Sequence, residues 1–417
     1  MGRALKTSTR GFSLLELMVA LALGLLITGA AVKLYSTGVD ATWVVQQRAE
    51  MQQDLRAAEQ IMLRDISLAG AGLTSIPGQS VPLPNGAAGA PIYGCSAGPV
   101  CAPNGAVNYP SIGGGPPTLY PIIPGFALGI IPPGSVTRSD LLTVVYTDTN
   151  LALNCYSGAS GGAGGPSAAN NAVQFNAAGN VLTFTAPVNP PPPGCSLPPN
   201  ILFPQALNNT VNGLAAGDLV LFGPLVVGGN TVEAVGEVTA VNPPNPGNTP
   251  AAPGSQYAIT FANGDTLNMN QSGQANDLTT LNPRPGVGGQ LANLVANRLY
   301  VITYYLKNWV DAAGHTTTIL YRQVNGQAAV PLVDNMANMQ FTYDTYNAAG
   351  ALLVQSGDGG MAAGDTPNLI RKVNIIHLTI HGQLYGTKTT LMATQGYQSF
   401  DLQTSISTRN MSYVNRY

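Results

Sequence analysis

Charged side chains are scarce in this chain of 417 residues, because Asp, Glu, Lys and Arg together make up only 9% of it. Typical soluble domains contain roughly 25% of them. The net charge is −2, and the 17 Lys and Arg residues form no cluster beyond the first ten positions. Binding to nucleic-acid phosphates requires a basic patch, so we do not expect a DNA or RNA partner.

Motifs of catalytic or metal chemistry are also few. Residues 158–162 fit the Gly-x-Ser-x-Gly pattern with Ser160 at the nucleophile position, but the glycines that follow do not favour the helix this motif needs. His377 and His381 lie four apart in a segment with strand character, where four residues span about 13 Å, too far for one ion. We therefore expect no enzyme, no cofactor and no metal site.

One long apolar run stands out against this background. Phe12–Val32 contains 21 residues, and Glu16 is its single charged residue. A helix of that length spans about 30 Å, the thickness of the hydrocarbon core of a bilayer. The segment before it carries Arg3, Lys6 and Arg10 and no acidic residue, which predicts a cytoplasmic tail. The run therefore predicts a single-span anchor with the rest of the chain outside.

Glu16 is an unusual residue for a membrane segment. A carboxylate there costs about 3 kcal/mol on insertion scales, so it usually has a partner and a function. The alternative is that Glu16 lies close enough to the cytoplasmic end to reach the headgroups. The residues by themselves leave both interpretations open.

Proline is missing from the whole stretch between Phe12 and Ile76, and the first one after it is Pro77. Apolar residues recur with helical spacing in the second half of this stretch, at Val44, Met51, Leu55, Ala58, Met62, Ile66 and Ala69. Gly70 and Gly72 then favour a helix end. The pattern predicts one helix of nearly 60 residues, with a membrane half and a half that packs on a head domain.

The remainder of the chain predicts a β-rich head with long Gly/Pro-rich loops. Short strands are expected in the middle region, at Leu141–Thr147, Val173–Phe175, Val181–Thr185, Asp218–Phe222, Thr231–Val241 and Tyr257–Phe261, with a hairpin signal at Asn263-Gly264. A succession of hairpins in one antiparallel sheet is expected near the C-terminus, from Arg298–Trp309, Thr316–Val324, Met339–Tyr346 and Val373–Leu384.

Cysteine occurs four times, at Cys95, Cys101, Cys155 and Cys195. An even count in an exported segment favours two disulfides, for which three connectivities are possible. We favour the neighbour pairing Cys95–Cys101 and Cys155–Cys195. Neither interval has the short spacing of a zinc-binding pair.

The sequence Gly11-Phe12-Ser13-Leu14-Leu15-Glu16 strongly resembles the processing site of type IV prepilins and of the pseudopilins of type II secretion. The resemblance implies cleavage by the prepilin peptidase between Gly11 and Phe12, and methylation of the new amine of Phe12. It also implies that Glu16 neutralises the methylated amine of a neighbouring subunit during assembly.

A second resemblance concerns the C-terminal part of the chain. The segments LYRQVNGQAAVPLVDNMANMQFTYD, VNIIHLTI and FDLQTSISTRN, together with SDLLTVVYTD at Ser139–Asp148, are similar to minor pilins of the PilW type. The J-type pseudopilins of type II secretion share this outline more weakly. The resemblance implies an α+β, pilin-like fold in which a long N-terminal helix packs on an antiparallel β-sheet head.

The two resemblances together imply an organisation and a function. Residues 1–11 form a leader, 12–32 the membrane and assembly helix, 33–72 its continuation on the head, 73–294 an elaborated head region and 295–417 the C-terminal β region. The expected function is a minor pilin that primes type IV pilus assembly and lies at or near the pilus tip.

The implied partners are the prepilin peptidase, other minor pilins, the major pilin and a tip adhesin. The implied location is the inner membrane, with a periplasmic head, before assembly and the pilus afterwards. The alternatives are a J-type pseudopilin and, from another class, a membrane-tethered surface adhesin or enzyme.

Overall fold

A computed structural model of the chain describes residues 11–73, 80–86, 89–93, 107–111, 113–133, 135–148, 173–176, 178–185, 213–227, 230–242, 256–281, 290–291, 296–310, 312, 314, 316–347, 349–358, 367–381, 399–408 and 410–411. These residues fall into two compact units, Met1–Gln53 and Asp54–Tyr417. The described part of the first unit contains most of one long helix, and the second contains the end of that helix and the β-rich head.

The predicted long helix is present as α1, which covers Leu14–Leu68 without interruption. The helical stripe is confirmed, because Met51, Leu55, Ala58, Met62, Ile66 and Ala69 are all buried; the side chain of Val44 lies outside the described residues. The chain turns away from the helix axis at Gly70, which adopts a φ of 78° and donates its N–H to the carbonyl of Val145 at 2.9 Å. A side chain would be strained at that angle.

The described part of the head is built from antiparallel strands. In chain order they are β1 (Val81–Pro82), β2 (Ile92–Tyr93), β3 (Val107–Asn108), β4 (Thr118–Leu119), β5 (Ile122–Gly125), β6 (Leu141–Asp148), β7 (Val173–Phe175), β8 (Val181–Thr185), β9 (Leu219–Val227), β10 (Asn230–Glu237), β11 (Ala240–Asn242), β12 (Gln256–Thr260), β13 (Gln290–Leu291), β14 (Ala296–Val310), β15 (Thr316–Val324), β16 (Val330–Val333), β17 (Met336–Tyr346), β18 (Leu352–Ser356), β19 (Ile370–His381) and β20 (Ser399–Ser407). Short 3₁₀ turns lie at Leu278–Leu281 and Pro367–Leu369.

A seven-stranded sheet lies at the centre of the head, in the order β10-β9-β14-β15-β16, with β6 beside β14 and β5 beside β6. A five-stranded sheet has the order β11-β12-β8-β7-β13, and a four-stranded sheet the order β18-β17-β19-β20. Two two-stranded sheets pair β1 with β4 and β2 with β3. The neighbouring strands in these sheets run antiparallel, for example β14 with β6 and β17 with β19.

The central sheet is covered on both faces. Alternate side chains point to opposite faces of a strand, and neighbouring residues of β9 accordingly enter different cores. Val220 and Phe222 pack with the five-stranded sheet through Phe175, Ile259 and other apolar residues. Leu219 and Leu221 pack on the other face, in a core that includes residues of β1, β2 and β4. This explains why β9 is a continuous apolar run in the sequence.

The expected single C-terminal sheet is divided between two sheets in the structure. Strands β14 and β15 belong to the central sheet, whereas β17 and β19 form the four-stranded sheet with β18 and β20. The change occurs at the turn between Val333 and Met336, where Asn335 has a φ of 57°. The expected hairpin at Asn263-Gly264 is wrong for the described residues, since the chain after β12 runs into a loop and the 3₁₀ turn at Leu278.

Asn325 fills a gap in the central sheet. Strand β14 pairs with β9 at Ala296–Leu299 and with β15 from Ile302 onward. The Oδ1 of Asn325 accepts the N–H of Val301 at 2.8 Å, and its Nδ2 donates to the carbonyl of Leu299 at 3.0 Å. Because Asn325 is buried, its amide continues the ladder between the two neighbouring strands.

We expect Asn325→Gly to lower the free energy of unfolding of the head by about 2 kcal/mol, because it leaves two buried backbone groups unsatisfied. Glycine tolerates the φ of 50° at this position, so the loss isolates the side chain. Asn335→Gly is the matched control, since Asn335 has a similar φ of 57°, and its expected change is within about 0.5 kcal/mol. Urea unfolding followed by circular dichroism measures both, and equal effects would contradict the role of the Asn325 amide.

Candidate functional site

The N-terminal segment places Glu16 in the first turn of α1. The helix begins at Leu14, and Ser13 lies immediately before it. The N–H of Glu16 donates to the Oγ of Ser13 at 3.2 Å, while the N–H and Oγ of Ser13 donate to the Oε2 of Glu16 at 3.3 and 3.4 Å. This reciprocal arrangement is a capping box.

The capping box gives the Glu16 carboxylate a defined orientation. One oxygen, Oε2, receives both Ser13 donors, and the positive end of the helix dipole favours a negative charge in this turn. One of these donors is the N–H of Ser13, which is part of the Phe12–Ser13 peptide bond. Cleavage of the Gly11–Phe12 bond leaves that N–H unchanged. The box is therefore compatible with cleavage after Gly11. The Ser-x-x-Glu spacing that is typical of a capping box can be recognised in the sequence.

The apolar side chains of the N-terminal segment are exposed and are not buried by other described residues of the chain. Phe12 is 84% exposed, Leu14 79% and Ile27 67%. Within the described residues, α1 is long and apolar enough to cross a membrane by length and composition. Exposed apolar surface of this extent requires lipid or other apolar helices as its surroundings.

A buried polar cluster attaches the end of α1 to the central sheet. The Tyr304 hydroxyl donates to the Oδ2 of Asp65 at 2.6 Å, and the Nε of Arg322 donates to the same oxygen at 2.8 Å. Burial and the negative charge of Asp65 both raise the pKa of Tyr304. Burial lowers the pKa of Arg322, but its pairing with Asp65 outweighs this and leaves the pKa raised. This cluster was not predicted from the sequence, although Asp65 is visible there as an acidic residue within the apolar stripe.

A second polar cluster organises the loop after β12. The Oε2 of Glu237, at the end of β10, accepts the N–H of Leu267 at 2.8 Å, and Asp265 accepts the N–H groups of Met269 and Asn270 at 2.7 and 2.9 Å. The carboxyl groups of Glu237 and Asp265 also share a hydrogen bond. Burial and Asp265 raise the pKa of Glu237 to about 8. These bonds hold the backbone in a loop where a hairpin is expected from the sequence.

The two histidines lie on strand β19, and both are half-buried. The pairing of β19 with β20 shifts between Ile375 and Leu378, so the buried side changes from Val373 and Ile375 to Leu378 and Ile380. His377 faces away from the core and its Nδ1 lies 3.0 Å from the Oδ2 of Asp401. Among the described residues, no group of three or more His, Cys, Asp or Glu side chains is placed to hold a metal ion.

Several sequence-predicted features lie outside the described residues. They are the residues of the leader before Gly11, the four cysteines Cys95, Cys101, Cys155 and Cys195, and Ser160. The two disulfide pairings therefore stay predictions.

Comparison with known families gives one match, in the segment that forms this site. Residues 6–32 match the model of the prokaryotic N-terminal methylation motif. This match supports a type IV pilin-like protein. The pilin-like segment covers the capping box and the uncovered apolar helix, and it supports processing by the prepilin peptidase, anchoring in the inner membrane and assembly with other pilins. Searches of curated proteins and of solved structures found no match.

Proposed function

We propose that this pilin-like protein is a minor pilin of the PilW type, which primes the assembly of a type IV pilus and lies at or near the tip. Before assembly the Phe12–Val32 segment holds it in the inner membrane. After cleavage between Gly11 and Phe12 it joins other minor pilins and the major pilin, and its head contacts a tip adhesin. The protein itself catalyses no reaction.

The proposal is supported by the methylation motif and the exposed apolar helix, which occur together at the N-terminus. The methylation motif covers residues 6–32, and the described helix within it, from Leu14 onward, is apolar and exposed, with the one carboxylate oriented at its first turn. Apolar helices of this kind leave the lipid and pack against each other. A carboxylate among them is tolerated when it meets an opposite charge, which the methylated amine of a neighbouring subunit supplies.

Replacement of Glu16 by Ala tests the assembly step. We expect the variant to be cleaved after Gly11 as efficiently as the natural chain, while its incorporation into sheared fibres falls more than about tenfold. The reason is that an unpaired amine in an apolar core costs about 3 kcal/mol, and about 1.4 kcal/mol corresponds to a factor of ten. Immunoblots of membrane and sheared fractions measure both steps.

Glu50→Ala is the matched control, because Glu50 lies on the same helix, is exposed and forms one bond with Gln46. We expect it to enter fibres at the natural level. Entry of Glu16→Ala at that level as well would contradict the proposed role of the carboxylate.

Deletion of the gene distinguishes the pilus from type II secretion, because the N-terminal motif is shared by both systems. We expect fewer surface pili in sheared fractions and normal secretion of hydrolases from the same strain. Normal piliation with hydrolases retained in the periplasm would instead identify a J-type pseudopilin. If neither changed in a strain without related minor pilins, the assembly function would be wrong and a surface adhesin or enzyme would replace it.

A further inference from the structure

Two charged residues bound the apolar part of α1. Glu16 lies in its first turn, and Lys33 is the next charged residue along the chain. Residues 17–32 between them contain one polar side chain, that of Thr28, whose hydroxyl donates to the carbonyl of Gly24 at 2.7 Å. Because this hydroxyl is satisfied within the helix, the whole stretch is suited to hydrocarbon.

The separation of the two charged residues is smaller than the thickness of a bilayer's hydrocarbon core. At about 1.5 Å per residue, the Cα atoms of Glu16 and Lys33 lie about 26 Å apart along the helix, whereas the core measures about 30 Å. The two Cα atoms therefore cannot both lie in headgroup layers. Neither lies deeper than about 2 Å inside the core when the span is centred midway between them, at Gly24 and Leu25.

The Glu16 carboxylate is directed toward the N-terminal end of the helix, as helical side chains generally are. Its Oε2 accepts both donors of Ser13, which lies three residues closer to that end. In a span centred at Gly24 and Leu25, the level of Ser13 is about 17 Å from the bilayer centre and thus in the headgroup layer. In a span centred on Ala22, the midpoint of the apolar run 12–32, it would lie about 14 Å from the centre and inside the core.

The other end of the same span carries residues that favour the outer headgroup layer. Tyr35 lies about 16 Å from the centre, at the boundary where Tyr and Trp are enriched, and its side chain is exposed. Lys33 has a long stem that can carry its ammonium group outward. The hydroxyls of Ser36 and Thr37 both donate to the carbonyl of Lys33 at 2.9 Å, so these residues do not oppose a position at the boundary.

We propose that, in the chain before assembly, α1 crosses the hydrocarbon core with residues 15–34, which we call the displaced span. The Glu16 carboxylate then lies among the inner phospholipid headgroups, and Lys33 and Tyr35 anchor the other end among the outer ones. The displaced span differs from the apolar run 12–32 by two to three residues. This inference rests on anchoring in the membrane and is independent of the kind of fibre that the protein joins.

The displaced span determines when the charge of Glu16 is removed from water. Among the headgroups the carboxylate keeps its hydration and the donors of Ser13, so it does not oppose insertion of the helix. The penalty for a carboxylate in apolar surroundings arises only when α1 leaves the bilayer. A single acidic residue is therefore compatible with a stable membrane anchor.

Two apolar positions distinguish the displaced span from a span centred on Ala22. Val19 and Leu25 each lie three residues from Ala22, and both are exposed. A span centred on Ala22 puts both positions at the same depth, whereas the displaced span puts Val19→Trp about 8 Å and Leu25→Trp about 1 Å from the bilayer centre. Trp43 and Trp309, which are both exposed, are replaced by Phe, so that each full-length variant contains a single Trp.

Fluorescence quenching in phosphatidylcholine vesicles measures these depths. Lipids brominated near the ends of their acyl chains should quench Leu25→Trp more strongly than Val19→Trp, and lipids brominated near the headgroups should do the reverse. Equal quenching of the two variants by each lipid, or the opposite order, would overturn the proposal. The vesicles contain no other pilus protein, so a failure of the minor-pilin function would leave these results unchanged.

Lys33→Leu tests whether the charged residue sets the position of the span. The next charged residue is then Asp40, so the uncharged stretch grows to residues 17–39 and the span should move toward Asp40. In this background Val19→Trp should become shallower by up to about 5 Å, whereas the control Lys33→Arg should leave its depth as it was. An unchanged depth in Lys33→Leu would contradict the role of Lys33 as an anchor.

Discussion

Asp65→Ala is expected to lower the free energy of unfolding of the head by about 3 kcal/mol. Asp65 is only 5% exposed at its side chain, and the Tyr304 hydroxyl and the Arg322 guanidinium both donate to its Oδ2. Removal of the carboxylate leaves a largely buried cation and a buried hydroxyl without their acceptor, and breaking such a pair costs 3–5 kcal/mol. Because Arg322 is 24% exposed and can turn toward water, we place the value at the lower limit.

The position of Asp65 in α1 explains why the pair exists. It lies in the last turn of the helix, which ends at Leu68, and this last turn contains no basic residue. A negative charge in that turn is disfavoured by the helix dipole. The cation that offsets this comes from β15 instead of from the helix. The pair consequently stabilises α1 only when the sheet is in place, and it couples the end of the helix to the folding of the head.

Chemical denaturation of the full-length protein in detergent measures this effect. Asp54→Ala is the control, because Asp54 is exposed on the same helix, and its expected change is within about 0.5 kcal/mol. In an Arg322→Met background the cost of Asp65→Ala should shrink by at least about 1 kcal/mol, since the two residues share one interaction. An undiminished cost in that background would show that Asp65 acts through something other than Arg322.

Local periodicity explains which parts of the fold were predictable. The buried stripe of α1 follows from apolar spacing alone, and Val173–Phe175, Val181–Thr185 and Thr316–Val324 have the predicted bounds. Each of these signals is contained within one element. The helix end also has a local signal, since Gly70 adopts the positive φ that glycine permits.

Features that depend on contacts between residues far apart in the sequence could not be predicted from the local sequence pattern. The loop after β12 is held by the hydrogen bond from the N–H of Leu267 to Glu237, 30 residues away in sequence. Asn263-Gly264 therefore lies in this loop and does not form the turn of a hairpin. The register of β19 against β20 shifts between Ile375 and Leu378. Beyond the shift, the buried and exposed faces of β19 are exchanged, so His377 is not on the face that strict alternation from Val373 and Ile375 would give it. Within the N-terminal site, the motif residues and the Ser13–Glu16 spacing were visible in the sequence. At the other end of α1, the acidic Asp65 within the apolar stripe was visible as well, but its partners Tyr304 and Arg322 on β14 and β15 were not.

Glu237→Gln is expected to remove a pH dependence from the stability of the head. Burial and the nearby Asp265 raise the pKa of Glu237 to about 8 in the folded state, above the ordinary value of about 4.3. The folded protein therefore binds this proton more tightly than the unfolded chain. By linkage, the contribution is fully present below the unfolded pKa and is lost as the pH rises through the folded pKa. The head should become less stable by at least about 2 kcal/mol between pH 5 and pH 8, because one pKa unit corresponds to about 1.4 kcal/mol.

Glutamine preserves the geometry of the neutral acid, since its oxygen can accept the N–H of Leu267 and its amide can donate to Asp265. We therefore expect the variant to be about as stable as the natural chain at pH 5 and more stable at pH 8. Glu233→Gln on the same strand is the control, because Glu233 is only half-buried, and it should retain the natural slope. Urea titrations at both pH values decide the matter. A parallel loss of stability in all three proteins would show that the slope comes from other carboxyl groups, such as Asp140 and Asp218, whose pKa values burial also raises.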